Sequence, residues 1–208
     1  DWISSILFAI VAATIVHTYF IQPFVIPTSS LEKTLLVGDF LLVSKMHYGA
    51  RVPMTTIAAP MVHDTLPVVK VKSYIPIFEL PYLRFPAFQK IKNNDIVVFN
   101  WPTDTMRHTD KYYYKPIDKK TNYVKRCVAI PGDTLEIKNG HVWINGKQND
   151  LPDRARIQFS YNIQFKRQLA GVDLYRILQK YDITDGLGFD SENQTYIIPA
   201  ATAENVAN

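Results

Sequence analysis

The chain has 208 residues, 47% of them apolar, and a net charge of +4. That is enough apolar material for one good-sized or two small packed domains, and it excludes an intrinsically disordered chain. The mild positive charge comes with no clustered basic helix and no stacked aromatic motif, so no nucleic-acid footprint is present. A single cysteine, Cys127, excludes an internal disulfide; it sits in an apolar run and reads as a packed thiol.

Between Trp2 and Leu31 the only titratable side chains are His17 and Tyr19. About 20 apolar residues cross a bilayer, and Trp2 to Ile21 has that length, with Trp2 and Tyr19 at interfacial positions. This predicts a membrane helix over 1–22, ended by Pro23 and followed by an extended exit at Pro27. A cleaved signal peptide and a buried core helix are the competing readings; the basic start and small-residue cleavage site of the former are not visible. The start at Asp1 and the polar tail lead us to expect a fragment cut at both ends.

Beyond the helix, strands and turns dominate. Phe40–Ser44, Ile96–Phe99 and Val124–Ile130 are buried-strand candidates. Residues 51–91 carry six prolines from Pro53 to Pro86 among many rings. They read as an ordered extended flap or a surface lying against lipid, not as a sheet centre. Residues 102–122, with Tyr112, Tyr113 and Tyr114, read as an inserted loop or hairpin. Thr134–Lys138 and His141–Asn145 flank Asn139-Gly140, a strong hairpin signal, and Asn145-Gly146 adds a second turn. Ile157, Phe159, Tyr161, Ile163 and Phe165 alternate with polar residues as in a half-buried strand. Leu169, Val172, Ile177, Leu178 and Tyr181 have helical spacing, so a small α+β unit is expected at 152–198.

Two residues carry the chemistry. Ser30 lies just outside the apolar run, and Lys125 lies in a strand-like segment that ends at Pro131-Gly132. A serine and a lysine held together make a nucleophile and its base without histidine. Local alternatives stand beside this reading. Ser29-Ser30-Leu31-Glu32 also reads as a capping box, with Ser29 as N-cap and Glu32 reaching back. A helical turn there is compatible with a nucleophile at Ser30. Lys125 acts as a base only if apolar burial or nearby positive charge favours its neutral form; otherwise it is a surface lysine. Strand alternation puts Lys125 and Arg126 on opposite faces, one inward and one to solvent. Asp39, Asp95 and Asp133 read as turn and cap residues. His47, His63, His108 and His141 lack metal-ligand spacing, so no metal and no other cofactor is assigned.

Pro27-Thr-Ser-Ser30-Leu-Glu-Lys-Thr-Leu35 with Gly38-Asp39, Asn94-Asp-Ile-Val-Val-Phe99, and Tyr123-Val-Lys125-Arg with Pro131-Gly-Asp133 resemble, in order and spacing, the motifs of type I signal peptidases. These are membrane-bound serine proteases that remove signal peptides from exported proteins. The resemblance covers residues 2–50 and 90–146. It implies a mainly β fold: a signal-peptidase-like β core with an N-terminal transmembrane helix and a small α+β insertion or accessory unit. It implies a transmembrane anchor at 1–22, a catalytic β core at 23–150 with 51–91 inserted, and an accessory segment at 151–208 that is expected to be truncated. It implies Ser30 as nucleophile and Lys125 as base. The Ser30 N–H and the Thr28 hydroxyl would form the oxyanion hole. Phe24, Ile26, Leu35, Tyr123 and Val124 would wall the shallow pockets that admit Ala-x-Ala. Its partners would be exported preproteins and membrane lipid, with no nucleic acid. The enzyme would be a single-pass protein of the cytoplasmic membrane, its catalytic domain on the extracytoplasmic side.

The chain departs from the family pattern in two places. Leu31 and Lys33 stand where methionine and proline are usual, a variant similar to Bacteroidetes-type members, which also carry an insertion like 51–91. The family's last motif, which supports the lysine with a serine and an acid, is echoed only faintly at Gly188-Phe189-Asp190-Ser191. Truncation before that motif is the expectation. The alternative is a catalytically inactive homologue that serves as a membrane-anchored binding module. A soluble self-cleaving Ser–Lys peptidase of the SOS-repressor type fits poorly with the apolar N-terminus.

Overall fold

The computed structural model describes residues 1–104, 115–164, 171–181, 183, 188–193 and 195–202. Tyr112 to Tyr114, His108, Phe165 and Leu169 lie outside the described residues, as does the side chain of Val172. The chain divides into two compact units, 1–134 and 135–208. Strand is the main regular structure in both.

The first unit opens with α1, Trp2–Tyr19, none of whose residues is buried. Eighteen residues rise about 27 Å, close to a hydrocarbon core of about 30 Å. Thr14 donates its hydroxyl to the Ile10 carbonyl at 2.7 Å, so its polar group is satisfied within the helix. The helix stops two residues short of the predicted Ile21. Pro23 is the physical reason, because its ring excludes a helical carbonyl four residues earlier, at Tyr19.

Pro23 itself lies in a strand, which the sequence reading missed. β1, Ile21–Val25, pairs antiparallel with β2, Phe40–Ser44, from Ile21↔Ser44 to Val25↔Phe40. The Ile26 N–H donates to Asp39 O (3.0 Å), the Gly38 N–H to Ile26 O (2.9 Å), and the Lys45 N–H to Phe20 O (2.8 Å). Even-numbered residues of β1 therefore bond inward to β2, and Ile21, Pro23, Val25 and Pro27 turn their backbone outward. Proline is tolerated there because no ladder donor is needed on that side.

Within residues 51–91 the extended flap pairs with itself as a two-stranded ribbon. β3, Thr55–Ala58, pairs with β4, Tyr74–Glu79, through an irregular register that accommodates Pro76. Asp118 anchors this ribbon by accepting bonds from the Met54 and Thr55 N–H groups and the Thr55 hydroxyl (3.2, 3.0 and 2.8 Å). At its base, Gly49 sits at φ +79, and a Cβ there would come within 2.1 Å of Phe85 O. β5, Ile96–Asn100, pairs with β6, Asn122–Arg126, so that Val97 faces Lys125 and Phe99 faces Tyr123. β6 begins earlier and ends sooner than the predicted Val124–Ile130, because the chain then turns at Pro131-Gly132.

The second unit opens with the meander β7 (Leu135–Lys138), β8 (His141–Ile144) and β9 (Lys147–Gln148). Asn139 and Gly140 have φ of 51° and 78°, and Asn145 and Gly146 have 51° and 79°. Both are the left-handed pairs that two-residue hairpins require. β10 (Phe159–Ile163), β12 (Thr195–Ala201) and β11 (Gly188–Asp190) form a second sheet beside α2, Gly171–Lys180. Ile183, Ile198 and Ala201 form the small core there, packed by Tyr161, Ile163, Leu178 and Tyr181. The alternation and helical spacing read from the sequence supply these packing residues.

A Cβ at Gly140 would meet the Phe159 ring at 2.4 Å as well as the positive φ. Gly140→Ala is expected to lower the stability of the second unit by about 1–3 kcal/mol. Thermal unfolding against the unmutated chain checks this, and an unchanged midpoint contradicts it.

Candidate active site

Ser30 sits in a single 3₁₀ turn, Ser29–Leu31, that packs against β6. The predicted capping box is not formed. Thr28, extended at φ −138° and ψ 151°, is the residue that enters the turn, and no side chain caps it. The Glu32 N–H closes the turn on Ser29 O at 2.8 Å. Three residues are too few for an α-helical N-terminus, so the contact with β6 holds the turn in place of local capping. The neighbouring Lys33 adopts φ +67°. Proline fixes φ near −65°, so this backbone excludes the proline that the motif usually has at this position.

Lys125 Nζ is hydrogen-bonded to Ser30 Oγ, joining residues 95 apart in sequence. Ser30 is exposed and Lys125 is half-buried. Their proximity follows from β6, which presents Tyr123 and Lys125 on one face and Val124 and Arg126 on the other. Tyr123 stacks on Trp101, with ring centroids 4.6 Å apart.

Lys125 and Arg126 lie on opposite faces as expected, but neither is fully turned to solvent. Arg126 is half-buried and donates to Asn94 O at 2.9 Å and to Thr34 Oγ1 at 3.1 Å. One guanidinium thus ties β6 to the turn before β5 and to the segment that follows Ser30. Its position next to Lys125 was legible in the sequence. Its two partners, 32 and 92 residues away, were not.

The five wall positions divide. Phe24, Leu35 and Val124 line one cavity of about 1060 Å³ in the first unit. Ile26 is only 3% exposed and is a core residue. Tyr123 lies on the Lys125 face of β6, not the Val124 face. Thr28 is exposed, beside the turn. Both β1 and β6 belong to two-stranded sheets, and among the described residues no further strand pairs with either.

The three aspartates serve turns. Asp39 accepts the Leu36 N–H (2.8 Å), Asp95 the Lys92 N–H (2.9 Å) and Tyr48 hydroxyl (2.8 Å), and Asp133 the Ile130 N–H (3.0 Å). Asp190, in the faint echo of the last motif, accepts from the Glu192 and Asn193 backbone and the Asn193 amide, so its carboxylate closes its own turn. Cys127, half-buried rather than fully packed, donates to Ala129 O at 3.3 Å.

An ion cluster around the buried Lys115, with half-buried carboxylates, braces the chain just before β6. Lys115 reaches Asp104 at 3.0 Å and Asp64 at 3.1 Å. Burial opposes the Lys115 charge, but the two carboxylates override it and raise the pKa. Burial likewise opposes the charge on Asp104. The Thr121 N–H and hydroxyl, at 2.6 and 2.7 Å, together with Lys115, hold its carboxyl at about 2.

The family model described as signal peptidase, peptidase S26, matches residues 1–187. The chain belongs to this signal peptidase family. It is similar to signal peptidase I P of Bacillus subtilis subsp. natto, 26% identical over 148 residues, which cover 71% of this chain and 51% of that protein. It is 29% identical to signal peptidase I of Pseudomonas aeruginosa over 134 residues, 64% of this chain and 33% of the relative. Signal peptidase I of Helicobacter pylori is 26% identical over 194 residues, 93% of this chain and 57% of the relative. The chain thus spans between 33% and 57% of the length of these relatives. No solved structure matches the chain significantly.

Two outcomes follow from the bracing of the site. Lysine cannot span both partners of Arg126, so Arg126→Lys is expected to cost about 1–2 kcal/mol. A shifted urea midpoint checks this, and an unshifted one contradicts it. The depressed carboxyl of Asp104 contributes stability that is complete above about pH 4 and lost as pH falls toward 2. Asp104→Asn should flatten the acid limb of a stability–pH curve in that window and leave its shape near neutrality unchanged.

Proposed function

We propose that the natural protein is a membrane-anchored serine endopeptidase that removes N-terminal signal peptides from exported preproteins after Ala-x-Ala sites. The observation that carries this reading is the hydrogen bond between Lys125 Nζ and Ser30 Oγ, supplied by two distant motifs of a family member.

In the proposed reaction the amine of Lys125 acts in its neutral form. It takes the hydroxyl proton of Ser30 as Oγ attacks the scissile carbonyl. The Ser30 N–H and Thr28 hydroxyl stabilise the resulting oxyanion. The Lys125 ammonium then gives its proton to the leaving amine, and the carbon–nitrogen bond breaks. Water, deprotonated by the regenerated amine, attacks the acyl ester; the carbonyl carbon–Oγ bond breaks and Ser30 recovers its proton. No metal or cofactor takes part.

The substrate would add as an extended strand along the open edges of β1 and β6. Of the proposed walls for its small side chains, Tyr123 shares the Lys125 face of β6, whereas Phe24, Leu35 and Val124 line a cavity whose lining includes neither Ser30 nor Lys125, and Ile26 is packed in the core. α1 is the proposed single membrane span, since it is the one described helix long and apolar enough to cross. The catalytic unit would then stand on the extracytoplasmic side of the cytoplasmic membrane, and lipid would be its standing partner.

The test is cleavage of an Ala-x-Ala preprotein in detergent micelles by the full-length natural chain. Ser30→Ala and Lys125→Ala are each expected to lower the rate by about a thousandfold or more. Cleavage that survives both substitutions would refute the dyad. Absence of cleavage by the folded, unmutated protein would favour the inactive, membrane-anchored binding module.

A further inference from the structure

The cavity of about 1060 Å³ in the first unit has a cationic wall. Lys45, Arg51, Arg84 and Lys119 line it, with a single carboxylate, Asp118, among them. Both oxygens of Asp118 are already taken by the Met54 and Thr55 N–H groups and the Thr55 hydroxyl. The cations reach neutral acceptors. Lys45 Nζ is bonded to Gln22 Oε1, and Arg51 Nη2 donates to Asn100 Oδ1 (2.7 Å). Arg84, exposed at the rim, donates to Tyr82 Oη (2.9 Å) and Tyr48 O (3.0 Å). Lys119 is only 8% exposed, and among the described residues its ammonium makes no hydrogen bond or ion pair. It lies 5.6 Å from the centroid of the Tyr74 ring. The neighbouring Asp64 carboxylate is held by Lys115 at 3.1 Å.

Burying positive charge without a counter-charge is costly, and a guanidinium cannot escape by losing its proton. Burial pushes the pKa of Lys45 and of Lys119 down, and Arg51 pushes that of Lys45 down further. We propose that this cavity is an anion site that takes inorganic phosphate or a small, soluble phosphomonoester. Three observations favour that class. Four cations face one carboxylate, so a dianion matches the site better than a carboxylate or a lipid phosphodiester, which carry one charge each. Arg51 keeps guanidinium N–H groups, and Lys45 and Lys119 keep ammonium protons, that no other described group takes up. Phosphate oxygens accept charge-assisted bonds of this kind. The volume is that of a ligand pocket, with room for an organic group beyond the phosphate. The bound anion would join three segments: the end of β2 at Lys45, the base of the ribbon at Arg51, and the approach to β6 at Lys119. It would thereby hold the first unit closed. The cavity lining includes neither Ser30 nor Lys125, so the site stands apart from the proposed dyad.

The test is thermal unfolding of the full chain in a non-ionic detergent, titrated with inorganic phosphate at an ionic strength held constant with chloride. Phosphate is expected to raise the midpoint in a saturable way that chloride does not reproduce. Arg51→Gln, which keeps a donor for Asn100, and Lys119→Met are each expected to weaken the apparent phosphate affinity by about tenfold or more. Lys147→Gln, an exposed change in the second unit, is expected to leave that affinity unchanged. Two variants are used so that the readout survives if one of them fails to fold. No phosphate-specific shift in the unmutated chain overturns the proposal, as does a shift that a folded Arg51→Gln or Lys119→Met chain keeps undiminished. Stabilisation that depends on Arg51 and Lys119 but arises only with phosphatidylglycerol in the micelles, and not with inorganic phosphate, assigns the cavity to a lipid headgroup and also overturns the proposal.

Discussion

The two-residue period of β6 is the constraint on which the site depends. Adjacent side chains on a strand point to opposite faces, so consecutive cations do different work. Lys125 meets Ser30, and Arg126 holds the frame through Asn94 and Thr34. A slip of one residue in the β5–β6 register would exchange them and place a guanidinium, which stays protonated, opposite the serine. The register is fixed by five paired positions and extended by Cys127 bonding to both Asn94 and Asp95.

Charge carries much of the long-range bracing. Asp118 fastens the ribbon, and Lys115 with Asp64 and Asp104 fastens the chain that leads into β6. A buried ammonium such as Lys115 adds little net stability over an apolar side chain even when paired, but it is costly to leave without its carboxylates and tolerates few arrangements. The role of these charges is therefore geometric. They hold a ribbon of open, two-stranded construction in a fixed relation to the strand that bears the lysine, where an apolar core alone would leave room to slide.

The regular elements were legible wherever a local signal and the tertiary environment agree. Phe40–Ser44, the Asn139-Gly140 hairpin and the apolar helix were readable because a run, a turn pair or a length decides each one, although Phe40–Ser44 is not the buried strand expected, with Phe40 86% and Leu42 75% exposed. The misreadings have physical causes. β1 was hidden because Pro23 argues against a central strand, yet its outward backbone on an edge needs no donor. Ser29-x-x-Glu32 matched a capping box, but three residues held by β6 form a 3₁₀ turn with Thr28 before it. Arg126 was assigned correctly to the face opposite Lys125. What covers that face comes from 32 and 92 residues away, and no local pattern encodes it. Ser30 and Lys125 were readable as a pair through their motifs; local residues alone favoured a cap and a surface lysine.

The outward backbone of β1 has a consequence for traffic through the site. Of the four residues that face the open edge, Pro23 and Pro27 have no N–H to give, so that edge offers carbonyls freely but donors only at Ile21 and Val25. An unmodified edge of this length would pair with any extended chain, including another copy of itself. Half-silencing its donors keeps the ladder short and any visiting strand loosely held. Under the proposed substrate pairing, a transiently extended peptide would then enter and leave, while a persistent β-partner would gain too few bonds to stay.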